Sequence, residues 1–143
     1  MNIRVLVATL VGGITLFLLG WLIFGILLMD FFKANMHSYA GLMKEPPNFV
    51  GLIVFNLAFA WLFAFIFDYW AKIRTFAGGL KGGALIMLPI TIAIDFQYLA
   101  FMNLHLSYTP IIVDIIASTA LGAIVGGVIA LVLGKFAPTP ALE

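Results

Sequence analysis

Four long apolar runs with short connections between them constrain the fold of this chain more than any other feature. A membrane helix needs about 20 mostly apolar residues to cross a hydrocarbon core about 30 Å thick. Hydrophobic residues make up 64% of the chain and charged residues 9%, whereas soluble domains carry about 25% charged residues. The sequence therefore predicts an all-α, polytopic membrane protein, a single domain over residues 1–143, with four transmembrane helices at Val5–Met29, Phe49–Phe67, Gly79–Leu104 and Ile111–Leu133.

The length of the first run and the prolines at the starts of the second and fourth support the assignment. A secretory signal peptide has an apolar region of about 7–15 residues; Val5–Met29 is longer, so we expect it to be retained as the first span. Pro46 and Pro47 precede the second run, and Pro110 opens the fourth. Because proline is tolerated in the first turn of a helix but not in its interior, these prolines indicate helix starts.

The positive charges are distributed unevenly over the predicted loops. With four spans, one side of the membrane carries five Lys and Arg residues and the other carries two, Lys33 and Lys44. Cytoplasmic loops are enriched in Lys and Arg, so this bias favours a protein of the cell's inner (plasma) membrane with both termini in the cytoplasm. A dual orientation is the alternative. The five are Arg4, Lys72, Arg74, Lys81 and Lys135.

Residues 30–48, which connect the first two runs, form the sizeable segment that does not span. Apolar residues recur there at spacings of three and four, which places much of the apolar set on one helical face. We expect a short amphipathic helix lying in the outer membrane–water interface; an irregular loop is the alternative. The apolar residues are Phe31, Phe32, Met36, Tyr39, Leu42 and Met43.

Small residues recur four apart in the third and fourth runs. Such seams let another backbone approach closely and drive helix association in lipid. The seams form contacts either within one four-helix bundle or between subunits. Their number favours a homo-oligomer, and other membrane proteins are the alternative partners. The predicted helix-packing residues are Gly78, Gly79, Gly82, Gly83, Ser118, Gly122 and Gly126.

Asp95 is the residue that most strongly suggests a functional site. Lys81 lies 14 residues earlier, about 21 Å away along a helix that rises about 1.5 Å per residue, so it cannot pair with Asp95. An unpaired acid in hydrocarbon is costly and marks a candidate site. Asn56 lies at a matching depth, roughly 10 Å inside the outer boundary. Two roles for Asp95 fit. It is protonated and joins helices by donating a hydrogen bond, either to Asn56 or to a backbone carbonyl, or it is an ion or proton site.

Three further residues complete the predicted ion or solute pocket. Thr91 and Tyr98 lie on the same helical face as Asp95. Asp114 lies near the start of the fourth run, where an acid complements the helix dipole; alternatively, it joins a polar cluster with Asp95 and Asn56.

Several classes of function lack any signature. The chain has no cysteine, which excludes disulfides and cysteine-based sites. The two histidines, His37 and His105, are not spaced as metal ligands on a helix. No phosphate-binding loop or catalytic motif is visible, and no basic run suggests nucleic acid. We therefore expect no enzyme activity, no metal, no cofactor and no nucleic-acid partner, with the lipid bilayer as the environment.

The whole chain resembles small bacterial four-helix integral membrane proteins of an uncharacterised family, one known only as a domain of unknown function. The residues that carry the resemblance are the glycine-bounded stretch Gly20–Gly25, the start of the last span at Val113-Asp114-Ile115, and the run Gly122–Gly127. The resemblance implies the four-span topology and no activity. It singles out Trp21 and Asp114 as positions of interest.

Two functions fit these observations. The first is an oligomeric channel or carrier for a proton, a cation or a small solute, with a polar pocket at Asp95 and Asn56. The second is a non-catalytic scaffold or accessory subunit that binds other membrane proteins through its glycine seams.

Overall fold

The computed structural model describes residues 2–136, and these residues form five α-helices and no strand. Single π-helical turns at Ile23–Leu27 and Ile66–Trp70 extend α1 and α3. The helices are α1 (Ile3–Leu22), α2 (Met29–Asn35), α3 (Phe49–Phe65), α4 (Phe76–Phe101) and α5 (Thr109–Lys135).

The predicted fold class is confirmed. Four helices are long and apolar enough to cross a membrane, and they match the four predicted runs to within three residues at each end. Shifts of three residues occur at both ends of α4 and at the end of the second span. The α4 helix begins at Phe76 because Thr75 caps it: the Thr75 hydroxyl accepts the Gly78 N–H at 3.2 Å. The four spans are Ile3–Leu27, Phe49–Trp70, Phe76–Phe101 and Thr109–Lys135.

Proline and asparagine define the starts of α3 and α5. Asn48 follows the Pro46–Pro47 pair and caps α3, with its side-chain oxygen accepting the Gly51 N–H at 3.1 Å. Pro110 lies in the first turn of α5, where its missing N–H leaves no helical hydrogen bond unmade. The two predicted helix starts are therefore confirmed.

The four long helices run alternately up and down, with two distinct ends. α4 and α5 pack along their lengths, and α1 packs on both α3 and α5, whereas α3 and α4 barely touch. We call the end that carries Arg4, Arg74 and Lys135 the basic end, and the opposite end, with α2 and residues 102–108, the loop end. Buried apolar side chains fill the space between the helices, among them Phe63, Phe67, Ile129 and Leu133.

The connector helix at the loop end is shorter than its apolar spacing suggested. α2 ends at Asn35, and the backbone of Met36 is extended. From there the connector pairs with the α4–α5 loop: the His37 N–H donates to the Leu104 carbonyl at 2.7 Å, and the Leu106 N–H donates to Asn35 at 3.0 Å. These hydrogen bonds to a distant segment replace helical ones, which sequence periodicity does not predict.

The glycine seams lie at the α4–α5 contact within one chain. A Cβ atom on Gly83 would collide with the carbonyl oxygen of Gly122, and one on Gly79 would collide with that of Gly126. Gly82 faces the Phe67 ring, which lies 2.9 Å from where its Cβ would be. Small residues thus allow the two backbones to approach closely.

The other two predicted packing residues have local partners. Gly78 lies against Thr75 and Ile73, and the Ser118 hydroxyl donates to Asp114 at 3.3 Å. All seven residues are therefore engaged within one chain, so they provide no evidence for contact between subunits. The homo-oligomer stays a prediction.

A buried ion cluster joins three elements at the basic end. The π-helical turn at Ile66–Trp70 turns Asp68 into the protein, where its side chain is fully buried. Arg4 of α1 pairs with the Asp68 carboxylate at 3.0 Å, and Arg74 pairs with the same carboxylate from the α3–α4 loop. The cluster fixes the start of α1 against the end of α3.

Candidate functional site

Two adjoining cavities lie in the half of the bundle nearer the loop end. The larger, about 920 Å³, is bordered by α1, α3, α4 and α5. The smaller, about 280 Å³, lies beneath the connector, with Met36 and His105 in its wall. Phe24, Tyr98 and Asp114 line both cavities and therefore mark the place where they meet.

Two acids approach each other at this meeting point. The carboxyl groups of Asp95 on α4 and Asp114 on α5 are close neighbours, and both line the smaller cavity. Asp95 is 6% exposed, and Asp114 is half-buried. Of the two interpretations of Asp114, its position in the second turn of α5 and its contact with Asp95 favour the polar cluster over an interfacial helix cap.

The polar atoms around the smaller cavity are incompletely paired. Within residues 2–136, the Asp95 Oδ2 and His105 Nδ1 atoms are buried and have no hydrogen-bond partner. Buried polar atoms are paired in the great majority of cases, because an unpaired one loses its hydrogen bonds to water. Two such atoms in the wall of one cavity therefore indicate a place for a water molecule, an ion or a ligand.

Asn56 does not form the predicted contact with Asp95. Its side-chain N–H donates instead to the carbonyl of Leu52, one turn earlier in α3, at 2.7 Å. The reason is tertiary: α3 and α4 do not pack together, so their polar side chains face each other across the larger cavity. Asn56, Thr91 and Tyr98 all line that cavity.

The structure thus brings the five predicted pocket residues to two adjoining spaces. Asp95, Asp114 and Tyr98 line the smaller cavity, and Asn56, Thr91, Tyr98 and Asp114 line the larger one. No local sequence signal predicts that His105, Ser118, which holds Asp114, or the aromatic wall belongs to the pocket. Besides Tyr98, the aromatic residues of the larger cavity are Phe17, Trp21, Phe24, Phe49, Phe55 and Phe59.

The charge of the site is one-sided. Among the described residues that line the two cavities, none is Lys or Arg. His105, in the wall of the smaller cavity near Asp114, is the one basic side chain among them. Two neighbouring carboxyl groups that no Lys or Arg neutralises can hold a proton between them or bind a cation from outside. In residues 2–136 no three His, Asp or Glu side chains lie close enough together to hold a metal ion.

Comparisons with protein-family models, with curated proteins and with solved structures find no match to this chain. The likeness to an uncharacterised four-helix family stays a prediction, and the function must be argued from the site.

Proposed function

We propose that this protein is a membrane carrier or channel that binds a proton, a cation or a small solute at the Asp95–Asp114 pair. The unpaired Oδ2 atom of Asp95, buried beside a second acid in a cavity wall, is the observation that carries the proposal. An ionisable residue inside a membrane span is costly unless it is used.

The arrangement of the cavities supports the same role. The larger cavity reaches Asp114 from within the bundle, and the smaller one reaches both Asp95 and Asp114 from beneath the connector at the loop end. A bound species can therefore approach the acids from two directions. Both approaches lie in the half of the bundle nearer the loop end, so they give a solute access to the acids from that half. A binding site for a solute requires such access, whereas an acid that only joins helices does not.

The scaffold alternative relied on the glycine seams. Those seams are filled by contacts within the chain, so the observation that favoured a scaffold no longer does so.

Titration of the acid pair tests the proposal. In purified protein in lipid, we expect the infrared C=O band of a protonated carboxyl group to change with bulk pH and to shift on addition of cations. The band changes in Asp95→Asn and in Asp114→Asn, because each substitution removes one of the two interacting acids. Asp30→Asn, which removes an acid at the loop end outside both cavities, is the matched control and leaves the band unchanged.

A band that ignores both pH and cations over the whole range in which the protein stays folded would contradict the proposal. It would mean that the acids form a sealed hydrogen bond between helices. The same Asp95→Asn variant is expected to abolish proton or cation flux in proteoliposomes while the helix content is retained.

Cysteine labelling can test the predicted orientation. The chain has no cysteine of its own, so a thiol reagent labels only a cysteine that is introduced. Met43 is 79% exposed in the connector, and Lys81 lies near the basic end. In cells, we expect a membrane-impermeant maleimide to label Met43→Cys from outside, and to label Lys81→Cys only after the membrane is permeabilised. Equal labelling of both variants in intact cells would indicate a dual orientation, and the reverse pattern would contradict cytoplasmic termini.

A further inference from the structure

The larger cavity opens sideways between α3 and α4. These helices are joined at the basic end by a short loop, yet they barely touch along their lengths. Leu52 and Phe55 of α3 and Ile90 and Ile94 of α4 line the cavity on these two sides. Because both helices are long and apolar enough to span a membrane, this opening faces the acyl chains of a surrounding bilayer.

The wall of this cavity changes character along its length. Most of the wall is aliphatic or aromatic, and Asp114 lies at one side, next to Asp95 in the adjoining space. The other polar residues of the wall are Asn56, Thr91, Tyr98 and Ser118. A volume of about 920 Å³ is within the range of about 300–1,000 Å³ that is typical of pockets for drug-sized molecules. The site therefore matches a molecule with an apolar body and one polar group.

The charge of the site defines that polar group. The acid pair has an unpaired buried oxygen, and no Lys or Arg among the described residues lines either cavity. His105 is the one basic side chain of the described residues in the wall, so the two acids outnumber it. A protonated amine can donate hydrogen bonds to both carboxyl groups. The nearby rings of Phe24 and Tyr98 add a favourable electrostatic attraction for a cation.

We propose that the solute bound at this site is a lipophilic amine, which enters from the membrane between α3 and α4 and places its ammonium group at Asp95 and Asp114. This inference rests on the proposed function and names its substrate class. An anionic amphiphile would be repelled by the acids, and a small hydrophilic cation would leave the apolar wall unfilled.

Direct binding to the intact protein in nanodiscs of zwitterionic lipid tests the inference. The probes are radiolabelled decylamine and decanol, which share an apolar chain and differ in charge, and binding to empty nanodiscs is subtracted. We expect decylamine to bind at least about tenfold more tightly than decanol, as charge-assisted hydrogen bonds require. In Asp95→Asn/Asp114→Asn, whose fold is checked by circular dichroism, the two probes are expected to bind equally.

A second pair of variants locates the binding site without altering the acids. Gly20 lines the larger cavity, and the nearest atom to a Cβ built there is Leu121 Cδ2 at 3.9 Å, so Gly20→Leu places a side chain in the cavity without striking the backbone. We expect it to weaken decylamine binding about tenfold or more, since the leucine occupies the volume of the probe's chain. Gly51→Leu is the matched control, because Gly51 lines neither cavity; it should leave binding unchanged.

Three results would overturn the inference. Equal affinity of the wild-type protein for decylamine and decanol would mean that the cavity accepts any apolar chain, such as a lipid tail. Unchanged binding in Gly20→Leu would place the amine elsewhere. Efficient disulfide formation between two Phe55→Cys chains would mean that a second copy covers the opening.

The infrared titration separates this inference from the proposed function. A carboxyl band that responds to pH, together with no preference for the amine, would reject only the substrate class. A band that responds to neither pH nor decylamine would reject both.

Discussion

Replacing both Arg4 and Arg74 with methionine is expected to lower the free energy of unfolding by about 3–5 kcal/mol, because the substitutions leave a buried carboxylate without a cation. The Asp68 side chain is fully buried, and Arg4 and Arg74 are its ion-pair partners. Methionine keeps most of the apolar length of the arginine side chains. Unfolding is measured by circular dichroism in detergent micelles with increasing dodecyl sulfate.

The charge origin of this effect can be checked by rescue. Adding Asp68→Asn to the double variant removes the uncompensated charge and should restore much of the lost stability. The matched control is Lys81→Met with Lys135→Met, which removes two cations from the same end, neither in an ion pair of the described residues. If the control loses as much stability as the arginine variant, or if Asp68→Asn restores nothing, the ion cluster is not what stabilises this end.

Gly83→Ala should destabilise the protein by about 1–3 kcal/mol, although alanine favours a helix over glycine by about 1 kcal/mol. The added Cβ atom would collide with the Gly122 carbonyl oxygen and lie 3.1 Å from Gly126 Cα. Both are backbone atoms of α5, so relief requires the whole helix to move. The same unfolding titration measures the change.

Gly51→Ala provides the matched comparison for this substitution. Its Cβ atom would lie 3.8 Å from the nearest neighbour, Asn48 Cγ, an ordinary van der Waals distance, so we expect the stability to stay the same or rise. If Gly83→Ala were as stable as Gly51→Ala, the close approach of α4 and α5 would be wrong. If Gly83→Ala instead dispersed an oligomer without lowering the stability of the monomer, the glycine seam would be a contact between subunits.

The sequence predicted the four spans because their signals are local. Each depends on about 20 consecutive apolar residues, and the helix starts at Asn48 and Pro110 depend on caps and proline chemistry within a few residues. The end of α2 at Asn35 was not predictable in this way. It follows from hydrogen bonds to Leu104 and Leu106, about 70 residues further along the chain.

The candidate site shows the same division. The cost of an unpaired acid in a span, which is a property of Asp95 alone, singled it out from the sequence. Asn56 at the same depth was the protein side chain predicted to accept its hydrogen bond, with a cluster including Asp114 as an alternative, and the structure places Asp114 beside it. Depth along a helix can be read from residue numbers, but which helices are neighbours cannot.

The sequence by itself therefore determined an all-helical protein with four helices long and apolar enough to cross a membrane and one costly acid, because hydrophobic length and local caps act within single segments. The tertiary structure decided that α4 packs on α5 and away from α3. That arrangement uses the glycines within the chain, pairs Asp95 with Asp114, and opens the apolar cavity beside them. The physical reason is that close packing depends on which backbones meet, and small residues permit such contact without specifying the partner.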